Sequence, residues 1–104
     1  MNVIKTPIEG LVVIEPQVFR DARGYFVETY NEQRYREAGI DAAFVQDNQS
    51  CSSYGVVRGL HFQRPPYTQA KLVSCTVGKV LDVAVDLRKD SPTFGQWYSV
   101  ELSA

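Results

Sequence analysis

The stretch "TVGKVLDVAVDL", Thr76 to Leu87, decides the fold class. Successive side chains of an extended chain point to opposite faces. Leu81, Val83, Val85 and Leu87 therefore share one face, and Asp82, Ala84 and Asp86 share the other. The first face is that of a strand packed on a core, and the second is small and acidic. Gly78-Lys79 separates two apolar runs with a turn signal, which predicts a hairpin joining Ala70–Val77 to Val80–Leu87.

The same grammar extends along the chain. Gly10, Pro16, Gly24, Gly39, Gly55, Gly59, Pro65-Pro66, Pro92 and Gly95 break it into short segments rich in Val, Ile, Tyr, Phe and Thr. Such spacing predicts an all-β protein with strands at Leu11–Glu15, Tyr25–Tyr30, Phe44–Ser53, Val56–Gln63, Ala70–Val77, Val80–Leu87 and Gln96–Leu102. Asp90–Gly95, "DSPTFG", reads as a turn-rich connection before the last strand. One helix is predicted near 31–39. Asn31 is its N-cap, Glu32 lies in its first turn, Gly39 is its C′ residue, and Tyr30 and Tyr35 have hydrophobic-staple spacing.

Bulk properties narrow the function. The 104 residues suit one domain, with 44% hydrophobic and 22% charged residues and a formal net charge of −1. No basic run is present, so broad nucleic-acid binding is not expected, although isolated arginines can hold a small phosphorylated ligand. No apolar run reaches the ~20 residues that span a bilayer. The start, "MNVIKTPIEG", lacks a signal-peptide pattern. Cys51 and Cys75, without CxxC spacing, read as reduced thiols of a cytoplasmic protein. Two cysteines and one histidine make no recognisable zinc site.

Several strand-like segments carry polar groups of a specialised kind. "FVQDNQS" holds Gln46 and Asn48, "VVRGLHFQ" holds Arg58, His61 and Gln63, "QAKLVSCTV" holds Lys71, and the next run holds Asp82 and Asp86. Taken singly, these residues read as a solvated sheet face, and His61 as a satisfied structural histidine. Taken jointly, they can converge on the concave face of a curled sheet. Arg58 and His61 have opposite parity, so both reach one pocket only if the strand is irregular, for which Gly59 is the site. A neutral imidazole is a general base near neutral pH. An ammonium group stabilises an enolate oxygen, a carboxylate fixes an imidazole tautomer, and arginine clamps phosphate. Together they point to proton abstraction next to a carbonyl on a phosphorylated or nucleotide-linked substrate. No nucleophile elbow or phosphate-cradling glycine loop is present.

Three long stretches, "GLVVIEPQVFRDARGYFVETYN", "FVQDNQSCSSYGVVRGLHFQ" and "QAKLVSCTVGKVLDVAVDLRKDSPTFGQWYSVELSA", carry a resemblance. The sequence resembles the dTDP-4-dehydrorhamnose 3,5-epimerase family of cupin-like jelly rolls, with "RGLHFQ", "FVQDN" and "VAVDLRKDSPTFG" the most specific strings. The resemblance implies conversion of dTDP-4-dehydro-6-deoxy-glucose to dTDP-4-dehydro-L-rhamnose without cofactor or metal. It implies that His61 is the general base, that Lys71 lies near the C4 oxygen, and that Asp82 has a supporting role. Arg58 matches a pyrophosphate-side arginine, Gln46 and Asn48 match substrate-pocket positions, and Arg23, Phe26 and Glu28 match nucleotide contacts. In the family those contacts cross a homodimer interface formed by N-terminal strands.

The resemblance also implies a longer domain, of which residues 1–104 form the N-terminal portion of an incomplete jelly roll. The further strands of family members carry a catalytic tyrosine acid and the aspartate that pairs with the base. Tyr25, Tyr30, Tyr35, Tyr54, Tyr67 and Tyr98 do not match that tyrosine. The alternative reading is a truncated sugar-nucleotide-binding module without catalysis.

Overall fold

The computed structural model describes residues 1–104 and contains six strands and one short helix. The strands form three separate antiparallel hairpins. Strand β1 (Asn2–Lys5) pairs with β2 (Val12–Glu15), β3 (Val18–Asp21) with β4 (Gly24–Val27), and β5 (Lys79–Val85) with β6 (Trp97–Ser103). Helix α1 (Glu32–Glu37) follows β4.

Local chemistry explains α1 and the β3–β4 turn. Asn31 caps the helix by accepting the Arg34 backbone N–H at 3.0 Å. At the other end the N–H of Gly39 donates to the Arg36 carbonyl at 2.9 Å, and that of Ile40 to the Tyr35 carbonyl at 2.8 Å. These two bonds form a Schellman motif, which needs the left-handed Gly39 (φ 85°). The Tyr30 ring meets the Tyr35 ring edge-on at 4.9 Å and the Phe44 ring at 5.5 Å, so a small aromatic cluster seats the helix. In the β3–β4 turn the Asp21 carboxylate accepts the Arg23 N–H at 2.8 Å.

The β5–β6 hairpin is held at its loop end by one carboxylate. Asp86 follows β5 and its side chain is 1% exposed. It accepts from the Arg88 backbone N–H (3.0 Å), Arg88 Nε (2.9 Å) and Nη2 (3.0 Å), Ser91 Oγ (2.5 Å) and Thr93 Oγ1 (2.6 Å). Its backbone continues the ladder, donating to the Gln96 carbonyl (2.9 Å) and accepting from the Gly95 N–H (2.7 Å). The "DSPTFG" connection is thus a structured loop wrapped on Asp86. These partners hold the Asp86 carboxyl far below the usual carboxylate range, the Arg88 hydrogen bonds contributing most. Asp86 in turn pushes the Arg88 guanidinium up.

The structure corrects several expectations. The hairpin predicted at Gly78-Lys79 does not form: residues 70–77 enter no ladder, and β5 pairs with Trp97–Ser103 in a seven-residue register. The Phe44–Ser53, Val56–Gln63 and Ala70–Val77 segments enter no ladder. Strands β1 and β3 were not predicted, and each exists as the partner of a segment that was. The apolar face of β5 is also not its covered face. Leu81 is 70% exposed, whereas Asp82 and Ala84 are half-buried and Asp86 is buried. The covered side is shared with Tyr98, Val100 and Leu102 across the ladder.

No closed barrel results, and no strand of one hairpin contacts a strand of another. Only Ile8, Tyr35 and Asp86 are buried. The radius of gyration is 15.3 Å, against about 13 Å for a compact domain of this length. The core is therefore open, and the apolar segments between α1 and β5 lie on the surface, as with Val45, 92% exposed, and Val57, 91% exposed.

Candidate functional site

Two hollows carry the chemistry-bearing residues. The first is set by a reversal between residues 61 and 71. The Tyr67 N–H donates to the Arg64 carbonyl at 2.9 Å, closing a turn over Pro65-Pro66. The chain runs back past itself, and a hollow of about 300 Å³ opens between the two arms. His61, Phe62 and Gln63 line one arm, and Thr68, Gln69 and Lys71 the other.

Gly59 precedes this hollow with φ 131°, a conformation that L side chains rarely adopt. Its irregularity lies where the opposite parity of Arg58 and His61 required one. It does not bring the two together. Arg58 turns back along the chain, donating to Ser52 Oγ at 2.9 Å and to the Cys51 carbonyl at 3.1 Å.

The second hollow, about 420 Å³, lies on the β3–β4 hairpin. Arg23 and Phe26 line it with Phe19, Arg20, Asp21 and Tyr25. Arg20 sits over the Tyr25 ring at 5.5 Å, a cation–π contact. Arg23 and Asp21 form an exposed ion pair at 2.6 Å. The Arg23 side-chain bond lowers the Asp21 carboxyl below its ordinary value, and Asp21 raises the Arg23 guanidinium. This hollow offers aromatic faces and a guanidinium edge, a combination that suits a nucleobase and its phosphates.

The other predicted site residues stand apart from both hollows. Asp82 is in the middle of β5, opposite Val100, and does not line the hollow of His61 and Lys71. Gln46 donates to Asn48 at 3.2 Å on the segment after the helix. Glu28 is paired with Arg34 at 3.0 Å, tying β4 to α1.

Sequence reasoning did not single out Thr68, Gln69, Phe19, Arg20 or Tyr25 as lining residues. The signal for the first two was the Pro65-Pro66 turn, which folds residues 68–71 back on 61–63. For the others it was the Asp21–Gly24 turn with aromatics on both sides. No three His, Cys, Asp or Glu side chains gather into a group able to hold a metal ion. No helix is long and apolar enough to cross a membrane.

Within the first hollow, an imidazole and an ammonium group border one space large enough for part of a hexose. The pair can remove a proton from carbon and receive the charge on an adjacent oxygen.

The chain is similar to one family of known proteins. The family model described as dTDP-4-dehydrorhamnose 3,5-epimerase matches residues 5–104. A curated protein of that description from Shigella flexneri is 58% identical over 105 residues, covering 100% of this chain and 58% of that protein. The crystal structure of the Bacillus anthracis dTDP-4-dehydrorhamnose 3,5-epimerase, with TDP and PPi bound, superimposes with a TM-score of 0.95. It is 47% identical and covers 99% of this chain and 59% of that one. A Legionella pneumophila epimerase in complex with dTDP-4-keto-L-rhamnose gives a TM-score of 0.92 at 54% identity, covering 98% of this chain and 54% of that one. The chain spans a little over half the length of these three relatives. The course of its open segments is thus one that backbones of these longer chains also follow.

Proposed function

The chain belongs to the dTDP-4-dehydrorhamnose 3,5-epimerase family, and we propose from that premise that its 61–71 hollow handles the keto-sugar end of a dTDP-linked 4-keto-6-deoxy hexose. The single observation that carries this reading is that His61 and Lys71 line one hollow. A His61 nitrogen takes the proton from a carbon next to the C4 ketone. The electron pair of that C–H bond becomes the enolate, whose negative oxygen faces the Lys71 ammonium. Inversion requires the proton to return to the opposite face of the carbon, from an acid placed there. Return from His61 itself restores the starting configuration and leaves only exchange with solvent.

The remaining assignments rest on the resemblance. Arg23 and Phe26 take the nucleotide in the β3–β4 hollow, together with Glu28. Arg58 serves the pyrophosphate, Gln46 and Asn48 the substrate pocket, and Asp82 a supporting role from β5. A homodimer in which N-terminal strands cross to the partner's hollow goes with these assignments. A cytoplasmic location goes with this reading, since Cys51 and Cys75 are both free thiols.

The test is deuterium uptake from D2O into dTDP-4-dehydro-6-deoxy-glucose. The expected result is uptake at C3 or C5 that falls by about a hundredfold or more in His61→Ala. Uptake equal in wild type and His61→Ala overturns the assignment of the base. The alternative reading is a sugar-nucleotide-binding module without catalysis. It predicts dTDP binding with no uptake at all.

A further inference from the structure

The 61–71 hollow contains two carboxamides that no step above uses. Gln63 lies two residues beyond His61 on one arm, and Gln69 two residues before Lys71 on the other. Each carboxamide residue lines the hollow beside its reactive neighbour. The Arg64–Tyr67 turn brings the arms back past each other. The result is a second polar pair at the turn end of the hollow, next to the imidazole and the ammonium group.

The chemistry of this pair differs from that of the first. A carboxamide presents both donors and an acceptor, is uncharged, and moves no proton near neutral pH. It cannot share the work of His61, and it is a weaker partner for an enolate oxygen than Lys71. It does match a hydroxyl, which likewise donates and accepts. Two carboxamides beside a site for a keto oxygen therefore complement a ring with free hydroxyls next to or one carbon beyond the ketone.

We propose that Gln63 and Gln69 are sugar-binding residues of this hollow, which hydrogen-bond the ring hydroxyls of the bound hexose and select a hydroxylated sugar over a deoxygenated one. The inference rests on the sugar-nucleotide reading and deepens it. It assigns the sugar's hydroxyl recognition to two side chains on opposite arms of one turn. Lys71 then reads the ketone, and the two glutamines read what surrounds it.

The experiment measures affinity of the chain for dTDP, dTDP-D-glucose and dTDP-2-deoxy-D-glucose by calorimetry, for wild type, Gln63→Leu and Gln69→Leu. Leucine keeps the approximate size and removes the hydrogen bonds. Each variant is expected to lose about fivefold in affinity for dTDP-D-glucose, the value of one neutral hydrogen bond, while its affinity for dTDP is unchanged. At least one variant should bind the 2-deoxy sugar no worse than wild type does. Variants that bind dTDP-D-glucose as tightly as wild type overturn this proposal and leave the sugar-nucleotide reading standing. An equal loss for dTDP also overturns it, because the glutamines then act on the fold. A wild-type chain that binds none of the three ligands overturns both this proposal and the reading beneath it.

Discussion

The β5–β6 hairpin and the segment between residues 44 and 77 differ in what holds them. The hairpin carries its own partner, in a seven-residue ladder whose loop is wrapped on the buried Asp86. The 44–77 segment has equally strand-like composition, yet it makes no ladder and exposes Val45, Val57, Leu60 and Val77. It also carries His61 and Lys71. An extended sequence becomes a strand only where another backbone satisfies its N–H and C=O groups. Within residues 1–104, β5 and β6 satisfy each other, and the segment that carries His61 and Lys71 makes no ladder.

The largest effect should appear in amide exchange. Opening free energies range across a structure from near zero in unpaired segments to the global value in ladders. Amides of β5 and β6 that point at one another should exchange about a hundredfold more slowly than those of 44–53, 56–63 and 70–77. Hydrogen–deuterium exchange read by mass spectrometry gives both numbers in one experiment. Uniform protection along the chain would break the comparison, since it would require partners for 44–77 that the structure lacks.

Next in size is removal of the clasp. Asp86→Ala leaves the Ser91 and Thr93 hydroxyls and the Arg88 guanidinium without their acceptor. It should free residues 86–96 and lower the thermal midpoint more than any other single change in this hairpin, which a melting curve checks. The pH dependence has a defined sign. The Asp86 carboxyl is depressed in the folded chain by Arg88, Ser91 and Thr93. The ionised form is thus bound more tightly in the fold, and its contribution is fully present above the ordinary aspartate value near 4. It is lost progressively as pH falls below that value. Asp86→Asn should flatten this acid limb. A variant with the wild-type acid limb would show that other carboxylates set it.

How much of this was legible depended on how local the cause was. The helix could be read whole, because Asn31, Gly39, Tyr30 and Tyr35 act within one or two turns of the chain. Strand β5 could be read, but its partner could not. Gly78-Lys79 gives a local turn signal, whereas the pairing with β6 depends on how Asp86, Ser91 and Thr93 fold an intervening loop. The covered face of β5 was misjudged for a related reason. Alternation sorts residues into two faces without saying which one another element will meet, and here the apolar set of Leu81 and Val83 is the more open. Within the candidate site, His61 and Lys71 stood out as rare residue types in strand-like text, and one turn brings them to one hollow. Arg58 has the same kind of signal but is held by Cys51 and Ser52, hydrogen bonds that no periodicity displays. Strand β3 was missed because four residues between Pro16 and a turn carry little pattern of their own.

The smallest expected effect sharpens the contrast from a third place, helix α1. Its six residues are too few to hold by helix propensity. It rests on the Asn31 cap, the Gly39 end, the Glu32–Arg36 ion pair at 2.8 Å and the buried Tyr35, whose hydroxyl donates to the Thr29 carbonyl at 3.1 Å. Asn31→Ala removes the acceptor for the Arg34 N–H and should cost about 1 kcal/mol of local stability. The amides of α1 should then exchange about fivefold faster, because that energy is spent within the capped turn. Those of β5 and β6 should not change, since no element of that hairpin packs on the helix. Faster exchange in β5 and β6 as well would mean that helix and hairpin open together. The chain would then be one cooperative unit despite its open core, and the division between a locally held scaffold and an unpaired site region would have to be abandoned.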